Sequence, residues 1–259
     1  MKKALAVMAL GLMTVSIGAW AKDWKEVRFG VDASYAPFES KAANGQLVGF
    51  DIDLGNEICK RLKAKCVWVE NDFDGMIPAL KAKKFDGVLS SMSMTEARMK
   101  EINFSAKLFN TPTRMVAKSG SGLMPTPASL KGKRVGVEQG TIQEAYAKKH
   151  WAPAGVEVVP YQNQTQVLSD LTAGRLDASL QDAVQADEGF LKKPEGKGFG
   201  FAGKELVDPQ TLGEGAAIGL RKEDKELKAD IDKAIAGMLK DGTYKKIEKK
   251  YFNFDVYGK

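Results

Sequence analysis

Leu80-Lys81-Ala82-Lys83-Lys84-Phe85-Asp86-Gly87-Val88-Leu89-Ser90-Ser91 reads as a helix end, a turn and a buried apolar strand. The same reading returns in Leu171-Thr172-Ala173-Gly174-Arg175-Leu176-Asp177-Ala178-Ser179-Leu180-Gln181-Asp182. Leu, Ala, a base, an apolar residue, Asp, a small residue and Leu recur in register. A second pair repeats in the same order: Arg28-Phe29-Gly30-Val31-Asp32 against Arg134-Val135-Gly136-Val137-Glu138. Each half therefore carries one unit of a duplicated plan. Strand and helix patterns alternate from Val27 onward, which predicts an α/β fold of two lobes, each a mixed sheet flanked by helices.

Working outward, Asp51 reads as the N-cap of a helix with Leu54, Ile58 and Leu62 on one face. Residues 67–69 form a strand. Phe73 and Asp74 open a second helix, with Pro78 in its first turn and Ile77 and Leu80 facing inward. The pattern restarts at Thr111, with a strand over 114–117 and a Gly, Pro and Ser-rich loop over 119–129. Thr141 with Glu144 three residues on is a capping box, so a helix starts there with its positive end exposed to a carboxylate. A strand over 156–161, a helix over 166–171 and a strand over 176–180 then deliver Asp182. A return crossing falls at 213–220, after which Leu227, Ile231, Ile235 and Leu239 line one helix face. Asp241 and Gly242 end that helix, and a last short one carries Tyr244, Ile247 and Tyr251. Lobe 1 takes 22–111 and 214–259, and lobe 2 takes 112–213.

Residues 1–21 have the basic start, apolar run and small-residue end of a secretory signal peptide. No Cys sits at the cleavage point, and no later run is long and apolar enough to span a bilayer. Removing Lys2 and Lys3 lowers the formal charge from +6 to +4. The basic residues are dispersed and not interleaved with aromatics, so nucleic acid is a poor partner. Cys59 and Cys66 in an exported chain predict one disulfide, worth roughly 2–3 kcal/mol for so short a loop. With His150 the only histidine, no metal site or Ser-His-Asp hydrolase is expected, and no cofactor.

The run Ser90-Ser91-Met92-Ser93-Met94-Thr95-Glu96-Ala97-Arg98 follows a buried strand, where open α/β sheets hold ligands. A guanidinium with flanking hydroxyls suits a carboxylate. Arg98 and the N–H groups near Ser93, Thr141 and Ile142 suit an α-carboxylate, while Asp182, helped by Ser90 and Ser91, suits an α-ammonium. Asp32 can meet a cation at the ligand's far end, with Tyr35 and Phe73 as flat faces around its stem. Glu138 is the second-lobe counterpart of Asp32. Together these residues suit an α-amino acid with a basic side chain.

The run 27–38, Phe50-Asp51-Ile52-Asp53-Leu54-Gly55-Asn56-Glu57, the run 90–98, Leu180-Gln181-Asp182 and the cysteine pair resemble the periplasmic binding proteins for lysine, arginine, ornithine and histidine. The resemblance covers nearly the whole mature chain. It implies a two-lobed type II periplasmic binding fold, closing on its ligand and presenting it to an inner-membrane ABC permease, as a monomer. It also implies ligand contact at Asp32, Tyr35, Phe73, Ser90, Ser91, Ser93, Arg98 and Asp182. Two positions depart from the family: Ile142 where a Thr is usual, and Glu138 where Leu is frequent. The second weakens histidine most as ligand.

A binding protein is thus the first expectation. An enzyme on the same scaffold, such as a periplasmic dehydratase of cyclic acids, is the alternative, because fold does not fix function. Asp182 and Glu138 are its only uncommitted acid–base candidates. A carboxylate-rich site suits a cation better than an acidic substrate. A soluble chemosensory role is compatible with binding.

Overall fold

The computed structural model describes residues 24–258, so the signal-peptide reading of 1–21 lies outside the described residues. The chain begins with β1 (Glu26–Val31), β2 (Ser34–Tyr35), β3 (Glu39–Lys41) and β4 (Leu47–Val48). Next come α1 (Phe50–Arg61), β5 (Lys65–Glu70), α2 (Met76–Lys81), β6 (Gly87–Val88), α3 (Glu96–Glu101) and β7 (Asn103–Phe109). A second run holds β8 (Thr113–Lys118), α4 (Pro127–Leu130), β9 (Arg134–Glu138), α5 (Ile142–His150), β10 (Glu157–Tyr161) and α6 (Gln164–Thr172). It continues through β11 (Ala178–Asp182), α7 (Ala183–Ala186), β12 (Phe199–Phe201) and α8 (Pro209–Leu212). β13 (Ala216–Leu220), α9 (Lys225–Asp241) and α10 (Thr243–Glu248) close the chain.

The duplication in the sequence is a duplication of sheets. One sheet runs β5-β1-β6-β13-β7 and the other β10-β9-β11-β8-β12, and β2, β3 and β4 form a small third sheet. In each large sheet the first three strands are parallel and the fourth antiparallel. The shared acid of the two repeats does the same work in both. Asp86 accepts from the Arg28 N–H at 3.1 Å, and Asp177 accepts from the Arg134 N–H at 2.8 Å. Each thereby ties the start of one strand to the turn before its neighbour. β13 carries the chain back into the first sheet, so the second sheet is an insertion between β7 and β13.

The cores lie between sheets and helices. Phe38, Phe50, Phe109 and Phe252 are buried together, with Phe38 stacked on Phe109 at 4.8 Å between centroids. Burying each such side chain stabilises by about 1.5–3 kcal/mol. A disulfide joins Cys59 of α1 to Cys66 of β5, the pair that the sequence predicts.

Several local expectations need correction. α9 buries Leu227, Ile231, Ala234, Ile235 and Met238, while Leu239 is 39% exposed. The helix advances 3.6 residues per turn, so the stripe drifts from 239 to 238. Asp51 does not cap α1: Gly49 takes that position, at φ +137°, where the Cβ of any other residue would meet the Phe38 carbonyl oxygen at 2.1 Å. Asp51 instead sits fully buried in the first turn. Part of the loop over 119–129 is already helical, since Thr126 caps α4. Ile77 does pack inward, half-buried against the core, and Met76 and Ala79 join Leu80 on the buried face of α2.

Candidate functional site

The C-terminal ends of equivalent strands converge on one cleft, where α/β sheets present their chemistry. Asp32 follows β1, Ser90 follows β6, β9 ends on Glu138 and β11 ends on Asp182. One cavity is lined by all eleven residues singled out in the sequence: Asp32, Tyr35, Phe73, Ser90, Ser91, Ser93, Arg98, Glu138, Thr141, Ile142 and Asp182. It is also lined by Glu39, Thr111 and Gln143, which sequence reading passed over.

At one end lies a guanidinium. Arg98 donates to the Ser93 carbonyl at 2.8 Å and, across the cleft, to the Gly140 carbonyl at 2.9 Å, with Phe73 5.4 Å beneath its carbon. Thr95 caps the short helix that carries it, accepting from the Arg98 N–H. Burial brings the Arg98 guanidinium down to about 10. It stays charged at neutral pH. The α5 N-terminus faces the same cavity through Thr141 and Ile142. Thr141 Oγ1 accepts from the Glu144 N–H at 3.1 Å, and the Glu144 carboxylate accepts from the Gly140 N–H at 2.7 Å. The predicted capping box thus forms, with its carboxylate reaching one residue further back.

The opposite end is rich in carboxyls. Asp32 and Glu138 are 7% and 4% exposed, and their carboxyls approach within hydrogen-bonding contact of each other. Burial raises both, Glu138 well above the usual range, and the charged neighbours acting on them are other acids. Asp182 Oδ1 accepts from the Val184 and Gln185 N–H groups, and Oδ2 accepts from Thr111. It therefore caps α7 as well as facing the cleft. Burial pushes its carboxyl up to about 6.

The serines differ from expectation in their partners. Ser90 Oγ accepts from the Asp32 N–H at 2.9 Å and donates to Glu39 at 2.9 Å, so it belongs to the Asp32 end of the cleft. A signal for Asp51 was present, because it lies three residues before Leu54 and seven before Ile58, on the buried face of α1. Glu39 gave none, since its burial depends on how the small sheet folds over the cleft.

A cleft between two similar lobes, with a fixed cation at one end and clustered carboxyls at the other, defines the class of two-lobed solute-binding proteins. The chain belongs to the bacterial extracellular solute-binding proteins, family 3, whose pattern matches residues 27–254. It is 54% identical over 260 residues to the lysine/arginine/ornithine-binding periplasmic protein of Escherichia coli (strain K12), covering 100% of both chains. It is 53% identical over 257 residues to the histidine-binding periplasmic protein of Salmonella typhimurium, covering 99% of each. An ancestral arginine-binding protein, solved bound to arginine, is similar with a TM-score of 0.83 at 38% identity, covering 90% of this chain and 100% of that one. The two curated relatives differ in ligand at nearly equal identity, so the residues of the cleft must separate the ligands.

Proposed function

We propose that this chain captures basic L-amino acids in the periplasm, arginine foremost, and presents them to an inner-membrane ABC permease. The observation that carries this reading is the meeting of two buried carboxyls, Asp32 and Glu138, across the cleft from Arg98. Two facing acids need a cation between them, because uncompensated buried charge is costly. A guanidinium has donors enough for both, an ammonium fewer, and a neutral imidazole one. Arginine thus ranks first, ornithine and lysine next, histidine last. Arg98 then takes the α-carboxylate and Asp182 the α-ammonium.

The periplasmic setting is supported by the names of both curated relatives and by the signal-like start of the sequence. Binding rather than turnover is supported by the same names and by the charge of the cleft. Closure uses the two links between the large sheets among the described residues, the segment after β7 and the segment before β13. Purified protein incubated with arginine, lysine, ornithine, histidine and cyclic acids tests the reading. A raised melting temperature with arginine and unchanged ligand supports it, and turnover of a cyclic acid contradicts it.

A further inference from the structure

The Ser90 and Ser91 hydroxyls stand between the cleft and two buried carboxyls. Ser90 Oγ donates to Glu39 Oε1 at 2.9 Å. Ser91 Oγ donates toward Glu39 Oε2 at 3.2 Å and Asp51 Oδ2 at 3.3 Å, and its N–H reaches Asp51 Oδ2 at 2.7 Å. Glu39 is 1% exposed and Asp51 0%. Glu39 and both serines nonetheless border the cavity.

A serine hydroxyl has one proton to donate and two lone pairs. Here both protons are directed inward, so each oxygen turns only lone pairs toward the cleft. The charged groups acting on Glu39 are Asp51 and Asp32, both acids, so hydrogen bonds rather than a cation hold it in place. Burial and that repulsion keep its carboxyl well above the usual range. Ser91 adopts φ +50°, a left-handed conformation that residues other than Gly rarely take, and the Asp51 bond to its N–H holds it there.

We propose that Glu39, backed by Asp51, is a positioning residue that sets specificity: it holds both serine protons inward and makes the serine face an acceptor only. Such a face admits cationic N–H groups and turns away a ligand end that carries a carbonyl. The inference rests on the basic-amino-acid reading and deepens it. Ser90 also accepts from the Asp32 N–H, so the face lies where the distal end of the ligand is read.

L-Citrulline tests this, because it replaces one guanidinium nitrogen of L-arginine with a carbonyl oxygen and keeps the rest. Calorimetric titration of both ligands is compared for the wild type, Glu39→Gln and Ser90→Ala. In Glu39→Gln the amide donates to one serine, whose proton then turns toward the cleft. Arginine affinity is expected to fall about tenfold while citrulline affinity holds or rises. Ser90→Ala leaves both carboxyls in place and removes one acceptor, so it shifts the ratio in the same direction even where Glu39→Gln does not fold. An equal fall for both ligands in Glu39→Gln, or an unchanged ratio in Ser90→Ala, overturns the role of Glu39. A wild-type chain that binds neither ligand removes the basic-amino-acid reading itself and this inference with it.

Discussion

Asp32 and Glu138 occupy equivalent ends of equivalent strands, one after β1 and one closing β9, and their carboxyls meet across the cleft. A gene-duplication-like plan thus places two acids face to face in the cleft, where the proposed function puts the ligand's side chain. Burial is the main cause that raises both carboxyls, and the neighbouring acids add to it: Asp72 acts on Asp32, and Asp32 acts on Glu138.

A pH dependence follows from Asp182 in the cleft and from Asp51 buried behind the serines. Burial raises Asp182 to about 6 and Asp51 to about 7, against an ordinary 3.8. Between about 4 and 7 the folded chain holds protons that the unfolded chain has released. The contribution of these groups to ligand-free stability therefore falls as pH rises through that window. A cationic ligand favours the ionised form of Asp182, which lines the cleft, so its affinity rises between about 4 and 6, by up to tenfold per pH unit for the proton released. Melting curves with and without arginine at several pH values check this: the gap between them widens upward, and a constant gap contradicts it.

Arg98→Ala is expected to weaken all α-amino acids alike, since the carboxylate is common to them. Removing one partner of a desolvated charge pair costs about 2–5 kcal/mol, or roughly 30-fold to several thousand-fold in affinity. Arg98→Lys recovers only part of this, because an ammonium lacks the guanidinium fork that also holds the Ser93 and Gly140 carbonyls. Calorimetry at near wild-type affinity in the Ala variant would remove Arg98 from the site.

Gly140 sets how closely the lobes meet. It lies at φ +77°, and a Cβ there would stand 2.6 Å from the Asp74 Cα, backbone against backbone across the cleft. Gly140→Ala should therefore hold the lobes apart and lower affinity for every ligand about tenfold or more. Small-angle scattering should show arginine compacting the wild type and not the variant. Equal compaction in both would place the closing contact elsewhere.

Much of this molecule is written in short-range pattern. The repeated Asp86 and Asp177 announced both sheets because each ties a strand start to a turn by local hydrogen bonds. The acids and hydroxyls of the cleft were legible because they fall at strand ends. Glu39 was not, because its burial is decided by the fold of a small sheet rather than by periodicity. Asp51 was misassigned as a cap, since an acid beside a helix start fits two roles and only packing against Ser91 separates them. The bond between Ser90 and the Asp32 N–H was not legible for the same reason: the two residues lie 58 apart in sequence.

Glu138→Leu, titrated by calorimetry with arginine and histidine, addresses the bridging of one ligand cation by Asp32 and Glu138 most directly. Leu fills similar space and removes one of the two carboxyls while Asp32 remains. Arginine affinity should fall about tenfold or more, and histidine affinity should stay equal or improve, so the arginine-to-histidine ratio drops. An unchanged ratio would contradict a bridging role and leave Glu138 as a buried acid with no part in choosing the ligand.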